Sequence, residues 1–289
     1  MAIITVPVLL GFSKYHALGN DFIVVEKSRL TSSRIGIMRL TRHICNRHSG
    51  VGADGLIYLS PDSSIDGRIE IYNADGSRAE KSGNGLRIAA EHCCRKKPRR
   101  KTFVFQTSGA IDKVVLKRKI SGGHIATTQL GQPEFEAQKV PVKTRRRYLI
   151  NYPLKIGPVS FPVTCLAVGN PHTVLVVEDF DFDWQELGEE IEHASAFPNR
   201  TNVEFVRIVN RGRLRVAEWE RGAGATGSSG TGAAAAVCAM VMLGLANRRC
   251  EVQFETGSLL VEWNPDTSIV ELTGPTEFIM EGRYEFVSH

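Results

Sequence analysis

The sequence lacks several features that would assign it to a familiar class. No apolar run in its 289 residues approaches the roughly 20 needed to cross a bilayer. There is no Rossmann glycine fingerprint and no P-loop, so nothing points to a dinucleotide or a nucleotide triphosphate. Low-complexity linkers are absent. Six cysteines occur, Cys45, Cys93, Cys94, Cys165, Cys238 and Cys250, but none has zinc-site spacing. No metal and no cofactor are therefore expected. Cys93-Cys94 reads as a pair on a helix, and reduced thiols point to a cytoplasmic setting. The apolar start, Met1 to Leu10, has no basic region before it and reads as an extension or first strand, not a signal peptide. The net charge is +5, carried largely by the basic stretches 95–101 and 143–147. Both read as solvated loops. Nucleic-acid binding would want a basic face with interleaved aromatics, which is not evident, so neither nucleic acid nor membrane is an expected partner. A homodimer is left open.

What the chain does contain is one motif written twice. Ser82-Gly83-Asn84-Gly85 precedes Leu86-Arg87-Ile88-Ala89-Ala90, and 147 residues later, counted from Ser82 to Ser229, Ser229-Gly230-Thr231-Gly232 precedes Ala233 to Val237. Each copy follows a polar, turn-prone stretch, Asn73 to Ser77 and Gly222 to Thr226. A single Ser-Gly-x-Gly is ordinarily a helix cap, in which the serine oxygen accepts from first-turn N–H groups. Two copies in corresponding halves suggest more. The free N–H groups that open each helix make an anion site. Two such half-sites facing each other would suit a small carboxylate treated on both faces of one carbon.

The length allows one large domain or two of about 140 residues, each able to bury its own core. Strand candidates in the first half are 22–25, 56–59, 69–72, 102–105 and 114–116; in the second, 165–168, 172–177, 202–206, 214–219 and 259–263. Helix candidates are 33–45, ended by the break Asn46 to Gly50, then 85–94, 184–191 and 233–245. Regular crossover helices are not evident, which argues against a parallel α/β sheet. Each half reads as a sheet-rich shell around one helix.

Longer motifs then carry a resemblance. Phe12-Ser13-Lys14-Tyr15-His16-Ala17-Leu18-Gly19-Asn20-Asp21-Phe22, Arg47-His48-Ser49-Gly50-Val51-Gly52-Ala53-Asp54-Gly55 and Tyr72 to Ser77 occur in order in the first half. Gly169-Asn170-Pro171-His172, Arg200-Thr201-Asn202-Val203 and Glu220-Arg221-Gly222-Ala223-Gly224 follow in the second. Together they resemble the diaminopimelate epimerase family nearly end to end. That resemblance implies an α+β fold of two pseudo-symmetric lobes, each a β-barrel-like antiparallel shell around a central helix. One lobe would span 11–128 plus 275–289 and the other 129–274. It implies a cofactor-independent isomerase acting on a small amino acid, linking LL- and meso-diaminopimelate for lysine and cell-wall synthesis. By the same carry-over, Asn20, Asn73, Asn170, Asn202, Glu220 and Arg221 would read the distal end of the substrate. Gly83, Asn84, Gly230 and Thr231 would hold its α-carboxylate. Gly55 offers that site no side chain.

The resemblance departs at its centre. The family uses one cysteine per lobe to remove and return the α-proton, and those positions here are Ser82 and Ser229. A thiol with pKa near 8.5 needs about 2 kcal/mol to ionise at neutral pH, within reach of a helix terminus. A hydroxyl about as acidic as water needs roughly 12 kcal/mol. A serine would therefore need a strong base, for which His172 and Glu220 are the motif-placed candidates. Two-base racemisation is expected to be weak or absent. Three accounts of the serines stand open: an exchanged pair that traps substrate, a diverged relative performing another isomerisation or an elimination, and a ligand-binding paralogue without catalysis.

Overall fold

Phe103 and Phe105 are buried in β5 (Thr102–Gln106) while the residues between and beside them are half-buried, the period-two pattern of a strand with one face on a core. The same alternation recurs along the chain. The structure is a computed structural model and describes residues 8–29, 36–79, 82–108 and 110–286. Two compact units emerge, Met1–Thr128 with Pro275–His289, and Gln129–Gly274.

The first unit runs β1 (Val8–Ala17), β2 (Asn20–Glu26), α1 (Ile37–Ile44), β3 (Gly55–Ser60), β4 (Gly67–Asn73), α2 (Gly83–Lys96), β5, β6 (Ile111–Ile120) and β7 (Gly123–Gly131). Residues 275–286 of the last strand of the chain, β16 (Val270–Phe286), lie beside β1 with Val8 opposite Phe286. They close the strand order β1 to β7 into an eight-stranded shell. Helix α2 touches β1, β2, β3, β5 and β6, so it lies inside. Its Leu86, Ile88, Ala89 and Ala90 join Tyr15, Phe103 and Phe105 in the core. Helix α1 instead covers a second cluster, with Leu40 and Ile44 on Leu10, Ile23 and Leu56. It ends where predicted, at an Asn46 whose side-chain oxygen accepts from the His48 and Ser49 N–H groups. Residues 30–35, part of the helix expected from 33, lie outside the described residues, as do 1–7.

The second unit runs β8 (Tyr152–Ile156), β9 (Val159–Ala167), β10 (Pro171–Val176), α3 (Trp184–Glu192), β11 (Asn202–Asn210), β12 (Arg213–Glu220), the short β13 (Gly224–Ala225), α4 (Gly230–Met242), β14 (Arg249–Phe254), β15 (Gly257–Trp263) and the start of β16. Helix α4 touches β9, β10, β11, β12, β14 and β15. Every residue from Gly230 to Met240 is buried. An alanine run forms helix readily and is thin enough to be enclosed on all sides.

The 147-residue offset reappears in the architecture. It carries the starts of β3, β4, α2, β5 and β6 onto those of β11, β12, α4, β14 and β15 to within a residue. One expectation needs revising. The class is α+β, but crossover helices are present: the parallel pairs β2–β3, β4–β5, β10–β11 and β12–β14 are each bridged by a helix. Their strands are short and separated by long polar stretches, which hid the βαβ rhythm. Strands β7, β8 and β14 also escaped the sequence reading.

The two central helices differ in chemistry. Helix α4 is apolar, whereas α2 buries Arg87, Glu91 and His92. His92 takes Tyr15 Oη at one ring nitrogen (2.9 Å) and Glu26 Oε1 at the other (2.7 Å), and Lys96 also donates to Glu26. The His92 hydrogen bond, with Lys96, outweighs desolvation and brings the Glu26 carboxyl down to about 2. A depressed acid stabilises the fold above its ordinary pKa of about 4.5, and that contribution disappears as pH falls toward 2. Glu26→Gln is expected to cost about 2 kcal/mol at neutral pH. It should also flatten the loss of stability between those two pH values. Denaturant unfolding of both proteins across that range checks it; identical acid limbs would remove Glu26 from the account.

Candidate active site

Both motif serines are helix caps. Ser82 and Ser229 have extended backbones, and their Oγ atoms accept from Gly85 N (3.1 Å) and Gly232 N (3.2 Å). The bland reading of each copy is thus realised, and it is compatible with a site. Capping uses a lone pair of the serine and one helix N–H. The N–H groups of the first helical residues, Gly83 and Asn84 in one unit and Gly230 and Thr231 in the other, have no acceptor within their helix. They are the donors a carboxylate would use.

Close packing explains the second glycine of each motif. A Cβ on Gly85 would come within 2.7 Å of Ile71 Cδ1, and one on Gly232 within 2.5 Å of Glu218 Oε2. Gly232→Ala therefore forces a methyl against a fully buried carboxyl group. It is expected to destabilise by about 1–3 kcal/mol. Thermal melting measures this, and an unchanged midpoint would show that Glu218 moves aside freely.

In the first unit the predicted amides form a chain. Arg87 donates to Asn84 Oδ1 (2.6 Å), Asn84 Nδ2 to Asn20 Oδ1 (3.1 Å), and Asn20 Nδ2 to Asp54 Oδ2 (3.0 Å). Asp54 is held in turn by Arg47, whose Nη2 bridges it to Asp21 at 2.7 and 2.8 Å. This orients Asn20 and Asn84 together at the start of β2 and the start of α2. Asn73, opposite Gly55 at the end of β4, is not a link in that chain; its Nδ2 donates to Ser77 Oγ (2.9 Å) and secures the turn. Arg87 is completely buried, and its Nε and Nη1 find no partner among the described residues. Burial pulls its pKa down to about 9.

In the second unit His172 is fully buried and engaged at both ring nitrogens, Nδ1 with Glu204 Oε1 (2.6 Å) and Nε2 with Asn170 Oδ1 (2.8 Å). It fixes the Asn170 amide rather than touching Ser229. Asn202 links its neighbours, donating to Pro171 O (2.7 Å) and accepting from the Arg221 backbone N–H (2.9 Å). The Arg221 guanidinium donates to Asn199 O (3.2 Å). Ser229 Oγ lies 3.3 Å from Thr231 Oγ1.

Two buried carboxyl groups beside this helix start were not among the predicted site residues. Glu204 and Glu218 are both 1 % exposed. Burial raises both acids, and the nearby carboxylates Glu220 and Glu204 push Glu218 up further. Thr226 Oγ1 is 3.1 Å from Glu218 Oε1 and 2.5 Å from Glu220 Oε1. One hydroxyl hydrogen cannot serve two carboxylates. A protonated Glu218 that donates to Thr226, which donates to Glu220, satisfies all three. Asp54 and Arg87 were also missed as orienting groups, although both lie inside the quoted motifs. Glu204 and Glu218 had no local signal, since each occupies an ordinary inward position in a strand.

No histidine or carboxylate is hydrogen-bonded to either serine hydroxyl among the described residues. Nor can a cysteine substitute. All six are free thiols, and burial pushes Cys45, Cys93 and Cys165 up to about 12 and raises Cys94, Cys238 and Cys250 as well. Among the described residues no cluster of histidine, cysteine, aspartate or glutamate is placed to hold a metal ion, and no helix is long and apolar enough to cross a membrane.

Comparison with known proteins follows the same lines. The family described as diaminopimelate epimerase matches residues 12–135 and 164–279. The diaminopimelate epimerase of Caldanaerobacter subterraneus subsp. tengcongensis is 38% identical over 281 residues, covering 96% of this chain and 100% of that protein. That of Gloeothece citriformis is 36% identical over 282 residues, covering 96% and 99%. Among solved structures, a hydroxyproline epimerase from Agrobacterium vitis with bound trans-4-hydroxy-L-proline has a TM-score of 0.72 at 13% identity, covering 96% of this chain and 92% of that one. A methylitaconate-delta-isomerase has a TM-score of 0.65 at 11% identity, covering 96% of each chain. These last two show a shared fold.

Proposed function

Because the chain belongs to the diaminopimelate epimerase family, a family of isomerases, we propose that it binds diaminopimelate without a cofactor and that its Ser82/Ser229 pair makes it a poor two-base epimerase. The observation that carries this reading is the family match over residues 12–135 and 164–279, which includes two serine-capped helices.

In this reading Asn20, Asn73, Asn170, Asn202, Glu220 and Arg221 receive the distal, non-reacting end. Arg221 forks onto the distal carboxylate, and Glu220 takes the distal ammonium. The helix-start N–H groups of Gly83-Asn84 and Gly230-Thr231 take the α-carboxylate and stabilise charge that develops there. His172, buried behind Asn170, acts as a positioning group. Ser82 and Ser229 stand where the family's two proton-transfer groups stand. Among the described residues neither hydroxyl is hydrogen-bonded to a base, so proton removal is the weak step.

One observation favours a second reading. The intact amide chain around Asn20 and Asn84, beside unactivated serines, suits a protein that binds the ligand without inverting it, or one that performs a different isomerisation. Exchange of the α-hydrogen of LL- and meso-diaminopimelate in deuterated water separates the readings. Slow exchange with saturable binding is the expected result. Exchange at an ordinary enzymatic turnover, on the order of 10 per second, would overturn the serine argument. No binding of either isomer would overturn the substrate.

A further inference from the structure

The basic stretch 95–101, read from sequence as a solvated loop, borders a cavity through Arg95, Pro98 and Lys101. It lies in the first unit at the C-terminal end of α2, about 18 Å along the helix axis from Ser82 at 1.5 Å per residue. Its volume is about 330 Å³, within the size range of small-ligand sites. The floor is apolar, made by Cys94, Pro98 and Phe278, and the walls carry Arg95, Lys101 and Lys119.

The charges of this region divide in an informative way. Lys96 is paired with Glu26, and Arg100 with Asp66 at 2.7 Å. Arg95, Lys101 and Lys119 have no carboxylate within 4 Å among the described residues. Arg95 instead lies over the Phe278 ring, 3.7 Å from its centroid, which fixes it at the cavity edge. Lys101 Nζ is 3.4 Å from His124 Nε2, and His124 Nδ1 is 2.8 Å from Glu91 Oε2. An ammonium can only donate, so Nε2 accepts and Nδ1–H donates to Glu91. His124 and Glu91 are both buried, and the Thr276 hydroxyl lies between the His124 carbonyl oxygen (3.2 Å) and Glu91 Oε2 (3.4 Å). The result is a buried relay that holds the Lys101 ammonium at the cavity.

Two carboxylates lie nearby. Glu91 is engaged by His124. Glu277 borders Gly122 at the rim, with its Oε2 3.9 Å from His16 Nε2. The helix C-terminus also carries a partial negative charge, but that opposes an anion only weakly and within one turn. Cations at a helix end are often mere caps, yet Lys101 and Lys119 come from outside the helix. They converge with Arg95 over an apolar floor, which capping does not require.

We propose that this cavity is a second ligand site, which takes a small organic anion. Its apolar body rests on Phe278, Pro98 and Cys94, and its carboxylate lies among Lys101, Lys119 and Arg95. Nothing in the proposed epimerase chemistry uses these residues, so the site stands whether or not that reading does.

The test uses the full chain with three probes, benzoate, its neutral isostere benzamide, and inorganic phosphate, followed by calorimetry and by the histidine ring nitrogen signals. Benzoate is expected to bind saturably and to shift the His124 ring signals. Benzamide and phosphate should each bind at least tenfold more weakly, one lacking the charge and the other the apolar body. Lys101→Gln with Lys119→Gln should weaken benzoate at least tenfold, as loss of charge-assisted contacts does. Lys101→Arg with Lys119→Arg should retain binding. Both side chains are exposed, so the variants should fold, and unchanged melting would confirm that. Absence of saturable benzoate binding, equal binding of benzamide or phosphate, or benzoate affinity that survives the glutamine pair would each overturn the proposal.

Discussion

Replacing Ser82 and Ser229 together by cysteine is expected to raise α-hydrogen exchange on diaminopimelate by at least about a thousandfold and to yield net epimerisation. The size follows from acidity. A hydroxyl needs roughly 12 kcal/mol to ionise at neutral pH and a thiol about 2, against about 1.4 kcal/mol per tenfold in rate. The structure indicates that the setting for a thiol survives. Each serine oxygen already accepts a helix N–H, from Gly85 and from Gly232, and a thiolate in the same place would accept the same bond and be stabilised by the helix terminus. Around Ser229 the danger is nearby negative charge, because Gly232 is bordered by Glu218 and Glu204. Burial, with the Glu220 and Glu204 carboxylates beside it, raises the Glu218 acid well above the ordinary carboxyl range, which disfavours its charged form and so lessens that repulsion. Each single cysteine should exchange the hydrogen from one face and invert little, since the opposite face lacks an efficient acid. Deuterium incorporation followed by chiral chromatography distinguishes these outcomes. A double-cysteine protein that binds diaminopimelate yet never exchanges its α-hydrogen would show that the site has diverged beyond the two serines. The elimination or alternative isomerisation reading would then take over.

Diaminopimelate is expected to bind at least tenfold more tightly than lysine, and Arg221→Lys should erase most of that margin. Lysine lacks the second carboxylate, which Arg221 is proposed to grip. The Arg221 backbone is anchored by Asn202, whose own amide is anchored on Pro171, so the guanidinium springs from a fixed point. A planar fork that makes two parallel bonds is not replaced by a single ammonium, although the charge is kept. Loss of charge-assisted bonds of this kind costs about 1.5–3 kcal/mol, or about ten- to a hundredfold in affinity. Calorimetry with the two ligands on both proteins measures it. Equal affinity for lysine and diaminopimelate in the unmodified protein would refute the distal-end assignment.

Much of this protein was legible in one dimension because the determining interactions are local. A serine cap with glycines at fixed spacing reads directly off Ser82 to Gly85 and Ser229 to Gly232, and both helices begin within two or three residues of the predicted start. The alanine run after Gly232 announced an enclosed helix, since such a stretch has no polar face to give to water. Family membership was likewise carried by ordered local motifs. Other features belong to the tertiary structure alone. Glu204 and Glu218 look like ordinary strand residues until β11 and β12 turn them inward beside α4, and only their burial makes them acids of raised pKa. His172 reads as a candidate base until Glu204, 32 positions away, and Asn170 occupy both of its nitrogens. The basic stretch 95–101 is exposed, as read, but that it borders a cavity depends on Phe278 and His124, far along the chain. Charge and hydrogen-bond capacity are written in the sequence. Whether a group meets water, a partner or neither depends on residues distant in the chain, and that was decided only when the strands paired.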